Sequence, residues 1–101
     1  MSVIMTLRVN GDASKVEEQA AENPEVMKTI IERAKEHGVI SHTFYGNDKE
    51  VLVVDEWPNE ESFHAFFKAS PDIGPLMQRA GATSQPEITF YRKLETNDQV
   101  G

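Results

Sequence analysis

The chain has 101 residues, no cysteine and a formal charge of −7. That length fits one domain with a small core, and the acidic balance excludes a cationic face for nucleic acid or anionic membrane. Disulfides and thiolate metal sites are excluded as well, and the opening MSVIMTLRVN is no signal peptide. No apolar run approaches the roughly 18 residues of a membrane span, so a soluble, cytoplasmic protein is expected.

The first segment, VIMTLRV (3–9), alternates, with Val3, Met5, Leu7 and Val9 on one side and Ile4, Thr6 and Arg8 on the other; it reads as a strand. Asn10-Gly11-Asp12 ends it. Ser14 and Glu17 have capping-box spacing, which places a helix start near Ala13. Asn23-Pro24-Glu25 then supplies a fresh cap, a first-turn proline and an acid favoured by the helix dipole. A kinked or broken helix is predicted over 13–36, with Val26, Met27, Ile30, Ile31 and Ala34 as its stripe. Gly38 after His37 marks its C-terminal end.

Strands are predicted at 39–45 and 50–57, joined by a hairpin loop at Gly46-Asn47-Asp48-Lys49. Asn59 caps the next helix, whose stripe is Phe63, Phe66 and Phe67. Ser70-Pro71-Asp72 interrupts it, and a second stripe of Ile73, Leu76, Met77 and Ala80 runs to Gly81. EITFYRKL (87–94) is the last strand. Residues 1–94 thus make one domain, and 95–101 a flexible polar tail.

The order β-α-β-β-α-β is the ferredoxin-like α+β arrangement, a four-stranded antiparallel sheet with its helices on one face. A sheet with one wet face should alternate cleanly. Residues 51–54, VLVV, are apolar on both sides, and Ile4 adds to the outer face. Nothing else in the chain covers that face, so a homodimer through it is expected.

The hairpin decides the chemistry. With Phe44 opposite Val51 or Val53, Ile40, His42 and Phe44 share a face with Val51, Val53, Asp55 and Trp57, and His42 lies across from Asp55 or diagonal to it. A slip of one residue would set Leu52, Val54 and Glu56 on that face instead. The first register is preferred because it gathers Trp57 with the bulkiest apolar residues. His42 then carries two readings. It is a general base in an apolar pocket, its tautomer held by Asp55, or it is a half-buried polar residue that Asp55 satisfies. His37 complements a helix dipole, and His64 sits at a core edge. The three histidines have no metal spacing, although a His42–Asp55–His64 site is geometrically imaginable. Trp57 and the phenylalanines at 44, 63, 66 and 67 line an aromatic pocket or are simply core. Arg8 either meets an anionic ligand or pairs across strands.

HGVISHTFYG followed by VLVVDEWPNEESFHAFF resembles the antibiotic-biosynthesis monooxygenase superfamily of dimeric α+β barrels. Gly38 before the second strand, the acid-x-Trp of Asp55 and Trp57, and the Glu61-x-Phe63 helix carry the likeness over roughly residues 3–93. The resemblance implies a pocket between sheet and helices holding His42, Asp55 and Trp57 beside Phe63, Phe66, Phe67 and Met77. It also implies oxygenation without a cofactor, by deprotonating an electron-rich phenol or enol whose anion reduces oxygen. Departures narrow it. Of the polar residues of polyketide-oxidising relatives, only the Trp has a match; Val53 stands for their Asn and Phe63 for their Tyr. Haem-degrading relatives place an Asn in the first strand and a helix His ahead of the last; here the body of the first strand has no Asn and the Met77-Gln78 region offers no imidazole. The expectation is monooxygenase-like or isomerase-like chemistry on a small hydrophobic or aromatic metabolite, with His42 and Asp55 catalytic and Phe44, Trp57, Phe63, Phe66, Phe67 and Met77 binding substrate. Its rivals are a pocket that only sequesters a ligand and a structural dimer whose aromatics fill the pocket.

Overall fold

The structure, a computed structural model describing residues 1–101, runs β1 (Val3–Asn10), α1 (Ala13–Glu22), α2 (Pro24–Glu36), β2 (Ser41–Gly46), β3 (Glu50–Trp57), α3 (Glu60–Lys68), α4 (Ile73–Arg79) and β4 (Glu87–Tyr91). The strands form one antiparallel sheet in the order β2-β3-β1-β4, so the α+β ferredoxin-like expectation holds. Alternation in β1 sends Met5, Leu7 and Val9 into the core. Across the hairpin-paired strand, Val51 and Trp57 join them, and Ile30, Ala34, Phe63, Phe66 and Leu76 close down from the helices.

The interruption expected in each helical segment is present, giving α1 and α2 from the first and α3 and α4 from the second, and local chemistry explains the first. Between α1 and α2 only Asn23 intervenes, with φ −131° and ψ 61°, outside the helical region. Pro24 follows it, and a residue before proline is driven from the α region. Asn23 occupies the cap position as expected, but its side chain makes no cap bond; its amide donates to Gln19 Oε1 at 3.3 Å. At the start of α1 the predicted Ser14–Glu17 box is corrected. Asp12 is the cap, accepting from the Ser14 backbone N–H at 2.9 Å and its hydroxyl at 2.8 Å. A carboxylate two residues before an N–H is already placed to bond it, and it outcompetes a hydroxyl. Those bonds hold the Asp12 carboxyl below its ordinary range. Asn59 caps α3 as predicted, accepting from the Ser62 N–H at 2.8 Å.

Four strand boundaries move, β1 extending to Asn10. Val39 and Ile40 fall outside β2, which starts at Ser41; the Val39 N–H instead closes off α2 by donating to Ala34 O, and that of Gly38 to Lys35 O, at 3.1 and 3.0 Å. This paired closure requires a left-handed residue, and Gly38 provides it at φ +95°. At the other end Gly46 is the last residue of β2, leaving Asn47–Lys49 as the loop. Asn47 Oδ1 accepts the N–H groups of Lys49 and Glu50 there, at 2.8 and 2.9 Å. Strand β4 stops at Tyr91, opposite Ile4, because β1 itself runs out one residue further on.

The face away from the helices carries Ile4, Leu52 and Val54, half-buried, with Tyr45 and Tyr91 exposed. In its middle Arg8 reaches across two neighbouring strands, donating to Glu50 at 2.9 Å and to Glu87. Arg8 is therefore the cross-strand ion-paired residue. No helix is long and apolar enough to cross a membrane.

Candidate active site

The hairpin adopts the preferred register. His42 lies directly opposite Asp55 and Phe44 opposite Val53, while Met5 flanks Asp55 from β1. All five side chains turn to the helix side. His42 Nδ1 and Asp55 Oδ1 are 2.7 Å apart. The other carboxylate oxygen, Oδ2, accepts from the indole Nε1 of Trp57 at 3.1 Å. Spacing explains that contact: residues i and i+2 of a strand project from the same face. Asp55 is 5% exposed and Trp57 fully buried, and no buried side-chain polar atom lacks a partner.

An ionised carboxylate can only accept, so the proton between His42 and Asp55 resides on Nδ1. In the neutral imidazole, Nε2 is then the nitrogen with a free lone pair. The His42 side chain is 24% exposed, in contrast to the sealed carboxylate behind it.

Beside this pair lies a cavity of about 120 Å³, lined by 22 residues of which 19 are hydrophobic. The remaining three are Gly11, His42 and Asp55, so these two are its only polar side chains. Its walls come from every layer of the fold. Met5, Leu7 and Val53 form the floor, Met27, Ile30 and Ile31 of α2 one wall, and Phe63, Phe67 and Met77 of α3 and α4 the other. Phe44 lines the cavity and is itself 41% exposed, so the space reaches solvent at the β2 edge. Its ring stands edge-on to His42 with centroids 5.0 Å apart.

The structure brings together seven of the eight predicted residues at the cavity: His42, Asp55, Phe44, Phe63, Phe66, Phe67 and Met77 all line it. Trp57 does not. It is packed behind the cavity, against the lining residues Phe63 and Phe66 with ring centroids 5.7 and 5.3 Å away, and its hydrogen bond to the site is to Asp55. The aromatics line the space without filling it. Met27, Ile30, Ile31 and Leu76, read as ordinary core stripe, are walls too. The sequence signal for this was the pair of helix interruptions, at Asn23-Pro24 and Ser70-Pro71-Asp72, since broken helices cannot lie flush on a sheet. One contact had no sequence signal. Arg33 of α2 grips Asp72, just ahead of α4, through both carboxylate oxygens at 2.7 and 3.1 Å. It ties the cavity's two helical walls together and holds the Asp72 carboxyl below its ordinary range.

No group of three or more His, Asp or Glu side chains converges as a metal site would require. His64 is exposed, edge-on to Phe90 at 5.4 Å, and His37 bonds the Arg33 carbonyl at 2.9 Å through Nδ1. His42 thus stands apart as the one imidazole facing a cavity.

No protein-family model matches the chain, and no curated protein matches it by sequence. Solved structures do match by fold. A conserved protein from Methanosarcina mazei superposes with a TM-score of 0.68 at 22% identity, over 93% of this chain and 94% of that one. SnoaB, a cofactor-independent oxygenase from Streptomyces nogalater, gives 0.63 at 18% identity, over 97% and 98% of the two chains. The ActVA-Orf6 monooxygenase of Streptomyces coelicolor, in complex with nanaomycin D, gives 0.61 at 19% identity over 98% and 91%. The chain shares its ferredoxin-like α+β fold with these proteins.

Proposed function

We propose that the protein is a general-base enzyme of the cofactor-independent oxygenase type, acting on a small, apolar, weakly acidic metabolite. The observation that carries this reading is the His42–Asp55 pair, the only polar side chains in an otherwise apolar cavity. A substrate entering there meets one basic nitrogen, Nε2, and no competing hydrogen-bonding side chain. Loss of a phenolic or enolic proton to Nε2 produces an imidazolium that Asp55 stabilises. The substrate anion is then the reductant. It gives up four electrons to dioxygen overall: the substrate loses two hydrogens and gains one oxygen atom as a carbonyl, and the other oxygen leaves as water with both hydrogens. SnoaB, similar in fold, bears the description cofactor-independent oxygenase, and this supports oxygenation over isomerisation. The cavity, about 120 Å³ against the roughly 150 Å³ known to hold benzene, is too small for a fused polyketide and admits at most a single ring, whose substituents would extend through the opening at the β2 edge.

The test is oxygen uptake over a panel of single-ring hydroquinones, phenols and enolisable ketones. The expected result is turnover of at least one, with His42→Ala lowering kcat by about 10²- to 10⁴-fold, the range of a general base. A His42→Ala protein that turned over the same substrate at the wild-type rate would remove the base from the mechanism. A ligand-sequestering role has one observation in its favour, the apolar lining itself. It predicts that a tight ligand raises Tm with saturation equally in wild type and His42→Ala, with no product formed.

The working unit in this proposal is a soluble, cytoplasmic homodimer joined through the open sheet face. Support comes from Ile4, Leu52 and Val54, which put apolar surface where a single wet face would carry polar residues. Leu52→Lys places a charge in the middle of that face and should yield monomers by sedimentation at micromolar concentration. A wild-type protein already monomeric there would refute the dimer.

A further inference from the structure

Asp55 has two carboxylate oxygens, and each has one side-chain donor: the imidazole of His42 on Oδ1 and the indole of Trp57 on Oδ2. We propose that Trp57 is a positioning residue, whose indole N–H fixes the Asp55 carboxylate so that His42 is held as the Nδ1–H tautomer with Nε2 as the free base. This rests on His42 acting as the base.

The terminal torsion of an aspartate has no sharp wells, so its own stereochemistry does not fix the carboxylate plane. Something must hold it, and the indole N–H does so from a fully buried ring whose only side-chain acceptor is Oδ2. Hydrophobic filling alone does not account for a Trp at this position. Phe63 and Phe66, its ring neighbours, show that the surrounding core accepts phenyl rings, which leave no donor to satisfy. A buried indole N–H without a partner is costly, so the pairing of donor and acceptor is mutual. No other polar side chain lines the cavity, which leaves the Trp57–Asp55–His42 line as the only ordered chain of side-chain hydrogen bonds leading to it. Carboxylates that orient a functional imidazole act in this way elsewhere, by selecting its tautomer.

The chain has a single Trp, so exchanging tryptophan for β-(3-benzothienyl)alanine, which keeps the ring shape and puts sulfur in place of N–H, alters this site alone. Trp57→Phe is the second variant if the analogue folds poorly. Side-chain ¹H–¹⁵N spectra of the ligand-free protein read the His42 tautomer directly. Wild type should show one Nδ1–H tautomer with a slowly exchanging proton. Either variant should show a mixture of tautomers, with the Nδ1–H signal lost to exchange. With a substrate in hand, kcat should fall about tenfold, the low end for a residue behind a functional imidazole, with KM within about twofold. An unchanged His42 spectrum in a folded analogue protein would reduce Trp57 to core. Because the spectrum is read without substrate, it judges the positioning role separately from the turnover test on His42→Ala, whose failure would leave the tautomer result standing.

Discussion

Asp55 and Glu87 are both carboxylates paired with a nitrogen partner on a neighbouring strand, one on each face of the same sheet. Asp55 is 5% exposed and shares its two oxygens between an imidazole and an indole. The Glu87 side chain is 68% exposed and shares the Arg8 guanidinium with Glu50. Around Asp55 water has been removed, so its two oxygens must find protein partners and the geometry becomes fixed. On the open side water competes with each bond, and the same kind of pairing is screened and weak. The difference teaches where chemistry can be read from a hydrogen bond and where it cannot. The substitutions that follow measure that contrast, beginning with the largest effect.

Trp57→Ala should cost about 3–5 kcal/mol in urea unfolding, the usual loss for a large buried aromatic. Only 13 of the 101 residues are buried, so this is a sizeable part of the 5–15 kcal/mol that domains typically have. A cost near 1 kcal/mol would mean that the aromatic layer behind Asp55 relaxes easily, and that the helix side is less rigid than its packing indicates.

Asp55→Ala comes next. It strips the acceptor from a fully buried indole N–H and a mostly buried imidazole, each orphaned donor costing on the order of 1–3 kcal/mol. Urea unfolding of Asp55→Ala alongside His42→Ala separates the contributions, since the latter leaves the indole bond in place. Equal stabilities for wild type and Asp55→Ala would show that water reaches the carboxylate, and the two faces would then differ less than their burial implies.

These two residues also show what the sequence made legible. The register that joins His42 to Asp55 followed from bulk alone, because one slip would have taken Trp57, Val51 and Val53 off the face that holds Ile40 and Phe44. What that pattern lacked was distance from the helices. A stripe such as Ile30, Ile31 and Leu76 looks the same whether it meets the sheet or stops short of it, so the residue pattern did not show the cavity, which was expected only from the family resemblance. Trp57 was placed on the correct face but not behind its neighbour, since period-two patterning says nothing of depth. Asp12 displaced Ser14 as the cap for a local reason, carboxylate against hydroxyl, that spacing does not rank. Arg33 and Asp72 meet only because two chain segments fold together, and no local pattern announces it.

That Arg33–Asp72 clasp is intermediate between the faces, with side chains 24% and 40% exposed, and it predicts a modest pH effect. Hydrogen bonding to Arg33 depresses the Asp72 carboxyl in the folded protein. Its stabilisation is therefore complete above the ordinary Asp range of about 3.9 and is lost as pH falls through the lower folded value. Tm measured against pH for wild type and Asp72→Asn should differ above about pH 4 and converge below it. A constant gap at all pH values would assign the effect to packing and not to charge.

The smallest effect is expected at Arg8, and it depends on what covers the open face. Arg8→Met removes the cation that Glu50 and Glu87 share while keeping an apolar stem over the sheet. At protein concentrations low enough to keep chains apart, the urea midpoint should not move, because water replaces the guanidinium at both exposed carboxylates. Under a second sheet that exchange is blocked: Glu50 and Glu87 would lose water and cation together, and removing one partner of a desolvated pair is costly. The midpoint should then fall at concentrations where chains associate, and added salt should not erase the difference as it does for surface pairs. A midpoint unaffected at every concentration would mean that Arg8 faces water throughout, and the contrast between the two faces would then be permanent rather than a property of the separated chain.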